Sequence, residues 1–86
     1  MYYLYILRCA DKTLYTGITT DLERRILEHN KTKLGARYTA SRRPVKLVYS
    51  KKFKSRSLAS KEEARIKKLK RVQKLELIKN LKYAKL

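Results

Sequence analysis

The chain opens with Tyr2-Tyr3-Leu4-Tyr5-Ile6-Leu7-Arg8 and, after a short polar break, continues with Leu14-Tyr15-Thr16-Gly17-Ile18. Aromatic and branched side chains dominate both runs, which is typical of β-strands. The first run is apolar almost throughout, so we expect it to be buried on both faces of a sheet. Residues 10–13 supply a turn between the runs, and the pattern predicts a hairpin. The turn contains no glycine, so its type stays open.

A helix is predicted directly after the hairpin. Thr20-Asp21-Leu22-Glu23 has the pattern of a capping box, in which the threonine hydroxyl and the glutamate satisfy each other's exposed backbone amides. The helix should run to about His29, with Asn30 able to adopt the left-handed conformation that ends a helix. Leu22 and Ile26 lie four positions apart and form its buried stripe.

The second half of the chain alternates a basic loop with one strand and two helices. The loop is predicted at residues 31–44, the strand from Val45 to Phe53, a helix from Ser57 to about Lys68, and a last helix to about Leu81. The expected buried faces are Leu58, Ala59, Ile66 and Leu69 on the first of these helices and Val72, Leu75, Ile78 and Leu81 on the second. The prediction is one small α/β (α+β) domain over residues 1–86, in the order ββαβαα.

The charge is strongly unbalanced. There are 24 Lys and Arg residues against seven acids, a net charge of +17. Such a charge on a small domain favours a polyanionic partner, and nucleic acid is the leading candidate, because neutralising phosphates releases counterions. A merely solubilising basic surface is the alternative. A membrane surface is disfavoured, because both basic helices need their apolar faces for the core.

The small number of cysteine and histidine residues limits which disulfides and metal sites the chain can form. A single Cys9 excludes an internal disulfide and fits a reducing cytoplasm. One cysteine and one histidine cannot form a zinc site of the usual kind, so any metal should be a hard, oxygen-bound ion. No stretch is apolar over the roughly 18 residues of a membrane span, and a strand starting at residue 2 leaves no room for a signal peptide. We therefore expect a cytoplasmic protein.

Five residues with candidate chemistry stand in a regular order. Tyr5 lies in the first predicted strand and Tyr15 in the second, ten residues later. Gly17 follows Tyr15 by two positions and Arg25 follows it by ten. His29 comes four residues after Arg25, which places both on one face of the helix. The set as a whole is far more specific than any member of it.

These residues resemble the GIY-YIG nuclease superfamily, and most closely its small stand-alone bacterial members. The signature triplets stand here as Tyr3-Leu4-Tyr5 and Tyr15-Thr16-Gly17. Further similar stretches are residues 18–30, 35–39 and 43–49 and the helix bearing Glu63, so the resemblance covers nearly the whole chain. It implies that the third strand joins the hairpin antiparallel, completing a three-stranded sheet flanked by helices. Ile18 stands where some members carry a lysine able to act as a base.

The resemblance also implies a role for each residue in phosphodiester hydrolysis. One divalent ion, Mg²⁺ or Mn²⁺, would be held by Glu63. Arg25 would neutralise the phosphate as charge develops in the transition state. Tyr5 and Tyr15 would line the attacking water and the scissile group. A neutral His29 would accept a proton or orient a tyrosine.

The choice of metal ligand rests on helix geometry as well. At about 100° per residue, Glu62 falls near the middle of the apolar stripe of its helix and Glu63 on the flank. An acid in the middle of such a stripe is costly unless it is paired or metal-bound, whereas a flanking acid beside a cleft binds a metal easily. Glu63 is therefore the predicted ligand, with Glu62 as the alternative.

Each residue also has a plain structural interpretation. Strand tyrosines commonly pack half-buried, Arg25 could pair with Asp21 or Glu28, and a histidine near a helix end often interacts with the helix dipole. Gly17 could relieve a strand bulge. The predicted nucleic-acid contacts, for which an ordinary solvated loop is the alternative, are Gly17, Arg37, Tyr38, Arg42 and Arg43.

Three functions are compatible with these features. The first is an endonuclease of low sequence specificity acting in DNA repair or recombination, with DNA favoured over RNA. The second is a binding module of the same fold without cleavage activity, and the third is a basic protein attached to ribosomal RNA. The acid expected to face phosphate favours the first, because a pure binder has no need of it. No obligate protein partner is indicated.

Overall fold

The computed structural model describes the backbone of residues 1–31 and 37–84 and the side chains of residues 1–31 and 39–79. Its elements are β1 (Tyr2–Arg8), β2 (Leu14–Thr19), α1 (Leu22–Lys31), α2 (Arg37–Ala40), β3 (Lys46–Phe53), α3 (Arg56–Lys67) and α4 (Arg71–Ala84). The predicted order of strands and longer helices is confirmed. The short helix α2 is additional and lies within the segment predicted as a loop.

The three strands form one antiparallel sheet in the order β2-β1-β3. The antiparallel placement of β3, which the family resemblance implied, is confirmed. At the hairpin turn Lys12 adopts a left-handed conformation with φ of 69°. This is the position that a glycine would usually occupy, and a lysine there explains why the turn could not be typed from its sequence.

The central strand β1 is buried on both faces, as its apolar run predicts. Leu4 and Ile6 point to one side, where Ile66 of α3 and Ile78 of α4 cover them. On the other side, the residues alternating with these contribute to a second cluster. That cluster contains Tyr5, Leu7, Cys9 and Val45, with Tyr15, Leu22 and Ile26 packed against it. The sheet therefore separates two small cores, and α1 lies over the face that carries Tyr5.

The start of α1 differs by one residue from the predicted capping box. The Asp21 carboxylate, rather than the Thr20 hydroxyl, accepts from the backbone N–H of Arg24 at 3.1 Å. The Thr19 hydroxyl in turn accepts from the Asp21 backbone N–H at 3.1 Å. Both threonine and aspartate are good N-caps, so the sequence alone did not separate the two registers.

The end of α1 also departs from the prediction. Asn30 lies inside the helix instead of ending it. Its side-chain amide donates to the Val45 carbonyl at 3.1 Å and accepts from the Val45 backbone N–H at 2.7 Å. The Asn30 side chain thus satisfies both backbone polar groups of Val45, as a neighbouring strand would, and links α1 to the residue just before β3.

The buried faces of the C-terminal helices are narrower than predicted. Ala59, Ile66 and Ile78 are buried and Leu69 is partly buried against the core. Leu58, Val72 and Leu75 are exposed, at 49%, 62% and 41%. The Leu81 side chain lies outside the described residues. Helical spacing gives the direction of an apolar face, but the small sheet covers only part of that face. No helix in residues 1–31 or 37–84 is both long and apolar enough to cross a membrane.

Candidate active site

A chain of hydrogen bonds runs through the core on the α1 side of the sheet. The Tyr5 hydroxyl lies 3.1 Å from His29 Nε2, and His29 Nδ1 lies 2.7 Å from the Thr39 hydroxyl. All three side chains are almost completely buried. The chain links β1, α1 and α2, and both ring nitrogens of the histidine have defined neighbours.

Gly17 makes room for Tyr5. The two residues are directly paired across β1 and β2. A Cβ atom on Gly17 would stand 2.6 Å from the Tyr5 hydroxyl oxygen and 2.7 Å from the ring carbon that bears it. The tyrosine ring therefore lies over the glycine, with its hydroxyl above β2. The predicted alternative, relief of a strand bulge, does not apply, because the β1–β2 register is continuous through this pair and the irregularity lies between β1 and β3.

Tyr15 completes an aromatic group around the histidine. Its ring centroid lies 5.2 Å from that of His29 and 6.4 Å from that of Tyr5. The Tyr5 and His29 rings meet edge to face at 5.9 Å. Tyr15 is only partly buried, so this ring forms the outer wall of the group.

The electrostatic surroundings keep His29 neutral. Burial, together with the positive charge of Arg25, lowers the pKa of the imidazole from 6.5 to about 4. Near pH 7 the ring is therefore a neutral hydrogen-bond partner. Burial also raises the pKa of the Tyr5 hydroxyl, although the neighbouring Arg25 guanidinium opposes that shift. Tyr5 is accordingly protonated in the resting protein.

Arg25 lies beside this chain on α1. Its guanidinium donates to the Glu28 carboxylate at 2.8 Å and interacts electrostatically with the Tyr5 hydroxyl. The side chain remains 25% exposed. The predicted pairing with Glu28 is present, but it does not exclude the catalytic role, because the same group reaches Tyr5 and solvent. Arg25 thus joins the buried residues to the surface of the site.

The two acids of α3 face different surroundings. Glu63 acts electrostatically on the Tyr5 hydroxyl, while its carboxylate lies 3.3 Å from Lys67 Nζ. Glu62 acts on Tyr49 and makes two 2.7 Å hydrogen bonds to Arg65, which lower the pKa of its carboxyl. Of these two carboxylates, Glu63 is the one whose charge contributes to raising the pKa of the Tyr5 hydroxyl, and its role as metal ligand stays a prediction.

The carboxylate of Glu63 fits a hard divalent ion. Among the described residues no three His, Cys, Asp or Glu side chains cluster as a metal site would require. Mg²⁺ does not need such a cluster, because it retains several waters and often binds through one or two carboxylates and the substrate phosphates. The Glu63 side chain is 23% exposed, so water and substrate oxygens have access to it.

The residues predicted to contact nucleic acid lie in different surroundings. Arg42 pairs with Asp11 at 3.0 Å and stays partly exposed. Arg43 donates to the carbonyl oxygens of Glu28 and His29 and so caps the end of α1. The backbone of Arg37 and Tyr38 lies in α2, but their side chains are outside the described residues. Contacts of these residues with nucleic acid stay predictions.

The structure brings together the four side chains that the sequence grouped, Tyr5, Tyr15, Arg25 and His29. The sequence did not predict that Thr39 joins them. This threonine belongs to the family-like stretch at residues 35–39, inside the segment predicted as a basic loop. A threonine in a basic segment carries no signal of burial. Only the packing of α2 against α1 reveals that its hydroxyl meets the histidine.

Comparison with known proteins agrees with this fold. The sequence matches the GIY-YIG catalytic domain family over residues 1–76. A UPF0213 protein of Syntrophus aciditrophicus is 58% identical over 77 residues, covering 90% of this chain and 88% of that protein. A second UPF0213 protein, from Desulfotalea psychrophila, is 56% identical over 78 residues, covering 91% of this chain and 71% of its own length.

Two solution NMR structures resemble the whole fold. A protein from E. faecalis is 46% identical with a TM-score of 0.65, covering 95% of this chain and 86% of that chain. A UPF0213 protein from Bacillus halodurans is 42% identical with a TM-score of 0.59, covering 92% of this chain and 84% of that chain. The chain belongs to the GIY-YIG catalytic domain family.

Proposed function

We propose that this protein is a divalent-metal-dependent endonuclease that hydrolyses phosphodiester bonds, with DNA favoured over RNA. The observation that carries the proposal is the hydrogen bond between the Tyr5 hydroxyl and a buried, neutral His29, with the Arg25 guanidinium interacting electrostatically with the same hydroxyl. A tyrosine that only packs in a core needs no such surroundings. A neutral imidazole that can take a proton and a cation that stabilises negative charge fit a hydroxyl that exchanges a proton.

Proton transfer in the proposed site runs through Tyr5. The attacking water gives a proton to the Tyr5 oxygen as the tyrosine proton passes to His29 Nε2, so the tyrosine ends neutral and the histidine becomes charged. In the resting protein burial and, to a smaller extent, the positive charge of Arg25 disfavour a charged histidine. A phosphate bound to Arg25 offsets that charge, which raises the pKa of His29 when substrate is present.

Arg25 and Glu63 handle the negative charge of the substrate. Arg25 is a permanent cation with several N–H donors and stabilises the phosphate as it gains charge. Glu63 would hold Mg²⁺ or Mn²⁺, which when bound supplies an activated water and stabilises the leaving oxygen. Tyr15, on the outer side of the group, lines the scissile phosphate.

The ion pairs seen in the protein do not obstruct these roles. Arg25 pairs with Glu28 and Glu63 pairs with Lys67, and all four side chains retain exposure to solvent. Fully exposed pairs contribute only about 0–1 kcal/mol, and these two pairs still face solvent in part, so a phosphate or a divalent ion has access to displace them.

Low sequence specificity follows from the proposed mode of binding. With a net charge of +17, phosphate contacts dominate, and such contacts carry no sequence information. A nuclease of this kind chooses substrates by their structure, which suits DNA repair or recombination in the cytoplasm. A binding module of the same fold, without cleavage, is the competing proposal, and the cleavage assay separates the two.

The decisive experiment compares two neighbouring acids. Wild type, Glu63→Gln and Glu62→Gln are incubated with branched, nicked, single-stranded and duplex DNA and the corresponding RNAs, with and without Mg²⁺. We expect Mg²⁺-dependent cleavage by wild type and Glu62→Gln, and loss of cleavage but retained binding in Glu63→Gln, because a hard ion requires the charged carboxylate. If cleavage is lost in Glu62→Gln but not in Glu63→Gln, the metal ligand is Glu62 instead of Glu63. If the wild type binds nucleic acid but cleaves none of these substrates, the nuclease proposal is wrong and the binding-module proposal replaces it.

A further inference from the structure

Thr39 holds a position that a loop threonine does not ordinarily take. Its side chain is 0% exposed and its hydroxyl lies 2.7 Å from His29 Nδ1, the shorter of the two contacts made by the ring nitrogens. The residue belongs to α2, which packs on α1. A buried hydroxyl in this place either simply satisfies a polar atom or decides which nitrogen of the imidazole carries the proton.

The hydrogen-bond donors and acceptors of the site favour the second role. The Arg25 guanidinium interacts with the Tyr5 hydroxyl and has only donors, so the Tyr5 oxygen can only accept on that side. The tyrosine's own proton is then free to point at His29 Nε2, which must present a lone pair. A neutral imidazole carries its proton on the other nitrogen, Nδ1. The group facing Nδ1 is the Thr39 hydroxyl at 2.7 Å, whose oxygen has the lone pairs to accept this proton.

We propose that Thr39 is a positioning residue, which fixes the Nδ1–H tautomer of His29 so that the Nε2 lone pair faces the Tyr5 hydroxyl. In a metal-ligating or catalytic histidine, the hydrogen bond at one nitrogen sets the state of the other. Without it, an Nε2–H tautomer would point a donor at Tyr5, and the proton relay could not start. The basic segment that carries α2 is thereby coupled to the site.

The catalytic consequence of this inference rests on the proposed nuclease function, whereas the tautomer itself does not. The chain contains one histidine, so the imidazole signals of the uniformly ¹⁵N-labelled full-length protein need no assignment. Two-bond ¹H–¹⁵N correlation spectra near pH 7 distinguish a protonated from an unprotonated ring nitrogen. The spectra of wild type, Thr39→Ser and Thr39→Val are compared, together with the kcat and KM of cleavage.

We expect wild type and Thr39→Ser to show a protonated Nδ1 and an unprotonated Nε2. Thr39→Val keeps the shape of the side chain but removes the acceptor, so its histidine should shift toward the Nε2–H tautomer. Its kcat should fall on the order of 10²-fold with KM little changed, and Thr39→Ser should retain most of the activity. A merely structural role would lower stability in both variants without altering the tautomer.

Two results would overturn the proposal. One is an Nε2–H tautomer in the wild type, and the other is a Thr39→Val protein that folds and keeps the wild-type tautomer. If Thr39→Val does not fold, the wild-type and Thr39→Ser spectra still decide the tautomer. A wild type with the expected tautomer and no cleavage of any substrate supports the positioning of His29 and refutes the nuclease proposal instead.

Discussion

The hydroxyl of Tyr5 occupies the space in which any side chain at position 17 would begin, 2.6 Å from where the Cβ atom of Gly17 would stand. The glycine is required here for its missing side chain, because its φ is not positive. A contact this short lies far inside van der Waals distance, and the tyrosine cannot easily move aside, since its hydroxyl is bound to His29. Tyr5 can therefore occupy this position only because residue 17 is a glycine.

Gly17→Ala should disturb the site through Tyr5. We expect a loss of stability of about 1–3 kcal/mol, the usual cost of overpacking, and a large loss of cleavage. In a Tyr5→Ala background the ring is absent, so the same Gly17→Ala change should cost much less. Denaturant unfolding of the four proteins in this double-mutant cycle measures the coupling. Additive effects would show that the glycine serves another purpose.

Arg25→Ala should reduce cleavage by about 10²-fold or more, because the donor to the charged transition state is lost. Arg24→Ala is the matched control. It removes the same charge from the same helix, and Arg24 also pairs with Glu28, at 3.8 Å, but its side chain is 61% exposed. Single-turnover cleavage rates at saturating DNA compare the two variants. Equal losses would mean that Arg25 contributes only to the overall charge.

The stability of the protein should decrease as the pH falls from 7 to 5. The pKa of His29 is about 4 in the folded protein and 6.5 without the surrounding structure, so the unfolded chain binds more protons in this window. The contribution is complete above pH 6.5 and is lost progressively on acidification, by on the order of 2 kcal/mol at pH 5. Urea unfolding across this range measures it. His29→Gln, which leaves no histidine, should lack this slope even though it is less stable.

Thr16→Val should stabilise the protein. The Thr16 hydroxyl is buried, and within the described residues it has no hydrogen-bond partner. Replacing it with a methyl group of similar size removes an unsatisfied polar atom, with an expected gain of about 1 kcal/mol. Thr16 is paired with Ile6, on the face of the sheet opposite Tyr5, so cleavage should be unchanged. Thermal unfolding would show a lower transition temperature if the hydroxyl makes a hidden hydrogen bond.

Binding to duplex DNA should weaken steeply with salt. The logarithm of the affinity is expected to fall with the logarithm of salt concentration by about 0.9 per phosphate contacted, and we expect roughly four contacts or more. Arg37→Ala and Arg42→Ala should each reduce this slope by about one, with little sequence preference. Arg43→Ala should in addition lower stability, because Arg43 caps α1. Fluorescence anisotropy over a salt series measures the slopes, and a salt-independent affinity would contradict them.

The structural features that depend on local patterns, such as strands and helix faces, could be predicted from the sequence. The apolar run at residues 2–8 indicated a strand buried on both faces, and the spacing of Arg25 and His29 placed them on one side of α1. The group formed with the two tyrosines also depends on the pairing of β1 with β2, which the hairpin pattern predicted. Local pattern and global fold agree in this part of the chain, which explains the accuracy there.

The sequence failed where an outcome depends on long-range packing. Asn30 has the composition of a helix stop, yet its interaction with Val45 keeps it in the helix. Leu58 and Val72 have the spacing of core residues but remain exposed, because the three-stranded sheet is too small to cover them. The buried hydroxyl of Thr39 depends on a tertiary contact between two helices. None of these features leaves a periodic signal in the sequence.

The lysines of β3 have a consequence for handling the protein. This strand forms an edge of the sheet, and Lys46, Lys51 and Lys52 are exposed on it. The last two extend over the rings of Phe53 and Tyr3, at 5.5 and 6.0 Å. Charges on an edge strand prevent one sheet from joining another. A polyanion that neutralises them removes this protection, so mixtures with DNA near charge balance should precipitate, while an excess of either component should keep the complexes dispersed.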